Sequence, residues 1–134
     1  MTTEPTPCPF EAPPDTEPVL RTVAMPADTN PAGDIFGGWV MAQMDLGGGL
    51  AASREAKGRV ATVAVDAMTF KRPVKVGDEV TVWAELLAVG TTSLRYRVSA
   101  WRRCADRAQH VKVTEAIFTF VALDEAGRKR PARG

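Results

Sequence analysis

The sequence is poor in the residue types that announce several common chemistries. It has one histidine, His110, and two cysteines, Cys8 and Cys104. The cysteines make no metal-ligand or redox spacing, so they read as two coincidental free thiols in a reducing compartment. His110 stands alone before a strand-like run and reads as exposed, not catalytic. The formal net charge is only +1, with 25% charged residues, which gives no reason to expect nucleic acid or an anionic membrane as the main partner. The N-terminal stretch has no basic region leading into an apolar run, so neither a signal peptide nor a membrane anchor is expected and a cytoplasmic location is. Neither an internal repeat nor a second composition regime divides the 134 residues, which suit one domain.

What the chain does have is one long apolar stretch, Asn30 to Ala52, that strand alternation cannot explain. Between Ile35 and Ala52 the only polar side chains are Gln43 and Asp45, so the stretch reads as a helix over about Gly37–Ala56, apolar on nearly every side and buried. Asp45 is the anomaly in it. A buried carboxylate needs a partner, a cavity or a job. Met41, Gly48, Gly49 and Ala52 share its face at helical spacing. Each interior glycine costs about 1 kcal/mol relative to alanine, so the run Gly47-Gly48-Gly49 implies that a sheet, a helix or a ligand approaches closely. Upstream, Gly37-Gly38 opens the helix after the turn-forming segment Asp28–Gly33. The free N–H groups of a helix start, unshielded by side chains, suit a developing oxyanion.

The flanking sequence alternates. Val19–Met25 reads as a short strand, and residues 59–72 as a second strand apolar on both faces, hence central. Val80–Leu87, Leu94–Arg103 and Val111–Leu123 read as three more, joined by turns at Pro73–Asp78 and Gly90–Ser93. In the last strand Ala116, Phe118 and Phe120 are placed on one face and Val113, Ile117 and Val121 on the other. Lys57-Gly58 reads as a left-handed helix stop, with Arg54 and Lys57 complementing the carboxyl end. The class is α+β: a curved antiparallel sheet wrapped around one long central apolar helix. Residues 1–17 are expected as a disordered arm, 18–125 as the folded domain and 126–134 as a basic tail.

Asp28-Thr29-Asn30, Gly33 to Trp39 and Gln43-Met44-Asp45 resemble the helix motif of hotdog-fold acyl-CoA thioesterases of the YciA type. The similarity continues through Gly58–Asp66, Met68-Thr69-Phe70 and Pro73–Asp78, and covers roughly Val19 to Asp124. The resemblance implies the hotdog fold and acyl-CoA hydrolysis, with Asp45 as the catalytic carboxylate, Gly37 as oxyanion donor and Asn30 as a polar group of the site. It also implies a tight homodimer with Asn30 and Gly37 of one subunit facing Asp45 of the other, and often a trimer of dimers.

Asp45 can then act as general base toward water or as a nucleophile forming a mixed anhydride, and the sequence leaves both open. Thr62 is a candidate for orienting the water, Gly38 accompanies Gly37, and Asp66 reads as a hydrogen-bonded acid within the sheet. Arg54, Lys57, Arg59, Lys71 and Arg72 are the candidates for the phosphates of coenzyme A. Neither a cofactor nor a metal is expected, coenzyme A being part of the substrate. Hotdog dehydratases would need a histidine beside a carboxylate near the helix, which this sequence lacks. The competing class is a non-catalytic acyl-CoA-binding module, which would need no carboxylate in its pocket.

Overall fold

The computed structural model describes residues 11–104 and 109–133. Strand β1 (Leu20–Val23) leads through a short 3-10 turn at Pro26–Asp28 to helix α1 (Gly37–Ala56); β2 (Val60–Val65), β3 (Glu79–Val89), β4 (Ser93–Arg103) and β5 (His110–Ala122) follow. They form one five-stranded antiparallel sheet in the order β1-β3-β4-β5-β2. Its concave face packs on α1, the hotdog arrangement that the resemblance implies. Val40, Met44, Ala52 and Ala56 of the helix meet Val82, Val98, Phe118 and Phe120 of the sheet in a single core.

Two of the three central glycines are explained by this packing. A Cβ at position 47 would lie 2.8 Å from Val19 Cγ2, and one at position 48 would lie 3.0 Å from the Phe120 ring. The sheet is therefore the body that approaches. Gly48 and Ala52 turn toward it, which corrects the expectation that they share a face with Asp45. Asp45 lies instead on an exposed face with Met41, Leu46 and Leu50, the last two 59% and 52% exposed. Buried surroundings were expected for it, but in the single chain the helix is apolar toward solvent as well as toward the sheet.

Strand β2 departs in the same way. It is an edge strand paired only with β5, and Val63 and Val65 are exposed, where a central strand buried on both faces was expected. It also ends at Val65 and carries a register shift between Thr62 and Ala64, so the alternation read through residue 70 does not hold. Residues 66–72 run on without strand pairing, tied to β5 by Asp66 N–H to Ile117 O (3.0 Å), Lys71 N–H to Val113 O (2.8 Å) and Thr114 Oγ1 to Thr69 O (2.8 Å). Asp66 is exposed, 3.9 Å from Arg95, not an acid bonded within the sheet. A second shift, between Ala100 and Trp101, lets Val113 join the core beside Ala116 and Phe118, against the face predicted for it.

The helix stop differs in detail. Lys57, not Gly58, adopts the left-handed conformation (φ 57°). Gly58 answers to space, because a Cβ there would lie 2.7 Å from Arg130 Nη2. That guanidinium donates to Ala56 O (2.7 Å), Leu123 O (3.0 Å) and Pro131 O (3.0 Å), placing a cation at the negative end of α1. Arg130→Met should destabilise the fold by about 1–3 kcal/mol, read as a lowered midpoint in chemical denaturation at fixed protein concentration. An unchanged midpoint would show that water replaces the clasp.

His110 is half-buried, its ring edge-on to Trp83 at 5.4 Å, which corrects the expected exposure. Burial, then the charges of Arg103 and Arg21, hold its pKa below the usual histidine value. Cys104 is disulfide-bonded, against the expectation of free thiols, so it gives no support to a reducing compartment. Cys8 and the first ten residues of the expected arm lie outside the described residues. Residues 11–17 run along the sheet's convex face, where Trp83 Nε1 donates to Thr16 O (2.9 Å) and Glu11 pairs with Arg72.

Candidate active site

The candidate residues sit at the start and near the middle of α1. At the start of α1, Trp39 and Val40 N–H groups bond back to Phe36 O, and those of Gly37 and Gly38 have no acceptor among the described residues. Gly37 lines a cleft of about 360 Å³ together with Ile35, Phe36, Val40, Phe70, Lys71 and Arg72, among others. Phe70 walls Gly37 closely, since a Cβ added to Gly37 would lie 3.2 Å from its ring, whereas one added to Gly38 meets nothing within 4 Å.

Two turns along, Asp45 accepts a hydrogen bond from Thr62 Oγ1 at 2.5 Å through Oδ1. Thr62 lies opposite Phe120, whose ring is in the core, so β2 aims the hydroxyl at the helix. The bond leaves Oδ2 of Asp45 free among the described residues. This carboxylate opens onto a second cleft of about 570 Å³, lined by Leu46, Gly49, Leu50, Ser53, Arg59 and Phe120 among others. Apolar walls around one oriented carboxylate suit a base or nucleophile acting on a largely apolar substrate.

The two clefts share no lining residue. Gly37 and Asp45 are eight residues apart in α1, so a rise of about 1.5 Å per residue separates them by roughly 12 Å. A base and an oxyanion donor acting on one carbonyl must each lie within about 3 Å of the reacting atoms. Within a single chain Gly37 and Asp45 are therefore too far apart along α1 to act on one carbonyl.

The remaining candidates divide between the two clefts. Arg59 lines the Asp45 cleft, and Lys71 and Arg72 line the Gly37 cleft. Arg54 and Lys57 line neither; Lys57 shares a crevice with Arg59 and Arg130 beyond the end of the helix. Arg72 is already engaged, by Lys112 O at 2.6 Å and Glu11 at 2.6 Å. Asn30 lines neither cleft. Its Oδ1 accepts from Ala32 and Asp34 N–H, both at 3.0 Å, and shapes the loop before the helix, leaving Nδ2 without a partner among the described residues. Sequence reasoning had no role for Glu11 or for Arg130, whose partners are remote in the chain, and it met Phe70 only as part of a motif. No group of histidine, cysteine or carboxylate residues suited to a metal occurs among the described residues, and no described helix is long and apolar enough to cross a membrane.

A thioesterase superfamily model matches residues 32–104. The acyl-CoA thioester hydrolase YciA of Salmonella typhimurium is 52% identical over 121 residues, covering 88% of this chain and 91% of that one. Among solved structures, a hexameric thioesterase, y2039 from Yersinia pestis, matches at 51% identity and a TM-score of 0.82, over 88% of this chain and 96% of that one. HI0827, a hexameric broad specificity acyl-coenzyme A thioesterase, matches at 44% identity and a TM-score of 0.85, over 92% and 85%.

Proposed function

The chain belongs to the thioesterase superfamily, and on that premise we propose how it hydrolyses acyl-CoA to a carboxylic acid and coenzyme A. The observation that carries the reading is the Asp45 carboxylate held by Thr62 at the mouth of an apolar cleft. Asp45 Oδ2 takes a proton from water as the water oxygen attacks the thioester carbonyl, and Thr62 keeps the carboxylate turned toward that water. Gly37 N–H, with Gly38 beside it, holds the negative charge that develops on the carbonyl oxygen. The intermediate collapses by breaking the C–S bond, and the coenzyme A thiolate takes the proton back. Water is the only co-reactant, and the work is assigned to the cytoplasm. Arg59 and Lys71, with Arg54 and Lys57 further out, are the cations proposed for the phosphates of the nucleotide. Arg72, the other candidate, is held by Glu11 and Lys112.

Each complete site takes Asp45 and Thr62 from one subunit and Gly37, Gly38 and Asn30 from its partner. A two-fold axis that sets two copies of α1 antiparallel brings the start of one helix beside the middle of the other and makes two equivalent sites. It would also cover Met41, Leu46, Leu50, Val63 and Val65, an exposed apolar surface larger than scattered single residues explain. Three such dimers would make the hexamer that the relatives form.

Release of free thiol from a panel of acyl-CoAs, followed beside binding, tests the reading. Turnover is expected, and binding without thiol release would identify a non-catalytic module. Gly37→Val in the same assay should lower kcat by at least about tenfold, more than it weakens binding of free coenzyme A. It should also lose more than Gly38→Ala, whose Cβ meets no atom within 4 Å. Normal turnover in folded Gly37→Val would move the oxyanion donor elsewhere.

A further inference from the structure

We infer that Glu11, on the segment strapped across the back of the sheet, is a positioning residue for the wall of the Gly37 cleft. The inference rests on the hydrolase reading above and assigns a function to a part of the chain remote from α1 in sequence. Residues 69–74 form that wall, with Phe70 against Gly37 and Lys71, Arg72, Pro73 and Val74 continuing it. They are not part of any strand, so isolated hydrogen bonds and side-chain contacts fix them. One tie is to β5, through Thr114 Oγ1 to Thr69 O and Lys71 N–H to Val113 O, both 2.8 Å.

A second tie is Arg102 Nε to Pro73 O at 3.2 Å, and a third is a three-way junction at Arg72. Its Nη1 lies 2.6 Å from Lys112 O and 2.6 Å from Glu11 Oε1. The contact with Glu11 is an ion pair, not an aligned hydrogen bond, since Oε1 has no hydrogen-bond partner and the N–H is directed to the carbonyl of Lys112. Both side chains are about three-quarters buried, at 26% and 24% exposure, so each charge depends on the other. The strap is itself held by the Trp83 indole on Thr16 O at 2.9 Å. The line of contact is continuous: strap, Glu11, Arg72, the 69–74 wall, Phe70, Gly37. Without Glu11, a mostly buried guanidinium has no counter-charge among the described residues and turns toward water, and the backbone that carries Phe70 two residues earlier moves with it. The carbonyl then seats less well against the Gly37 N–H, so the loss falls on turnover, not on the grip on the nucleotide.

A double-mutant cycle on the full-length enzyme tests this, with butyryl-CoA as substrate and free coenzyme A as the binding probe. Glu11→Ala and Arg72→Met should each lower kcat by about three- to tenfold, with Kd for coenzyme A within twofold of wild type and a lowered melting temperature that still leaves the enzyme folded at the assay temperature. The double variant should lose no more than either single one, because the two side chains act as one unit. Multiplicative losses would overturn the inference, as would wild-type kcat in Glu11→Ala or a loss that disappears when the folded fraction is restored at lower temperature. Tighter coenzyme A binding by Glu11→Ala would also overturn it, showing that Glu11 competes with a phosphate for Arg72. Wild-type turnover and Asp45→Asn, run in the same series, test the hydrolase reading separately, since the Glu11 effect is a ratio to wild type.

Discussion

Asp45→Asn should lower kcat for every acyl-CoA by at least about a hundredfold, while leaving the melting temperature and the Kd for coenzyme A close to wild type. The amide fills the same space and can still accept the hydrogen bond that Thr62 Oγ1 donates to position 45. It cannot take a proton from water. Asp45 also lies on an exposed face of the single chain and makes no ion pair among the described residues, so no folding contact of this chain is lost with its charge. A thiol-release assay beside a thermal melt and a coenzyme A titration checks all three quantities. Near-normal turnover would remove Asp45 from the chemistry; an unfolded variant would make it a structural residue.

The helix limits were legible because both ends carry local signals. Turn formers precede Gly37-Gly38, and Lys57-Gly58 follows Ala56, although the left-handed residue there is Lys57 and not the glycine that the stop was read from. The tight packing at Gly47 and Gly48 was legible as an approach, and the sheet proved to be the approaching body. Strands β3, β4 and β5 were legible from alternation, but the register shifts in β2 and between β4 and β5 were not, since one inserted residue moves every later side chain to the other face.

The burial of Asp45 and β2 was misread for a single physical reason. Apolar residues on every side of an element require cover, but a sequence does not say whether that cover comes from the same chain. Met41, Leu46, Leu50, Val63 and Val65 are apolar and uncovered by their own chain, which is the condition the proposed second copy would satisfy. Of the candidate site, Asp45 and Thr62 come together as a pair and the Gly37 N–H has no acceptor among the described residues, while Asn30 is held in its own loop. The roles of Glu11 and Arg130 could not be read from local pattern at all. Their partners lie 61 and 74 positions away, at Arg72 and Ala56.

The central claim is that each site is shared between two subunits, and mixed dimers test it most directly. Asp45→Asn and Gly37→Val subunits, each expected alone at about a tenth of wild-type activity or less, are co-expressed with different tags, and dimers carrying both tags are purified. Gly37→Val is a better second partner than Asn30→Ala, because Asn30 Oδ1 shapes the loop before the helix and its loss would disturb more than the site. In a mixed dimer one site combines the intact Asp45 of the Gly37→Val chain with the intact Gly37 of the Asp45→Asn chain, and the other site carries both substitutions. Shared sites predict activity restored to about half of wild type per dimer. Mixed dimers as inactive as either parent, with both parents folded, would mean that the base and the oxyanion donor belong to one chain.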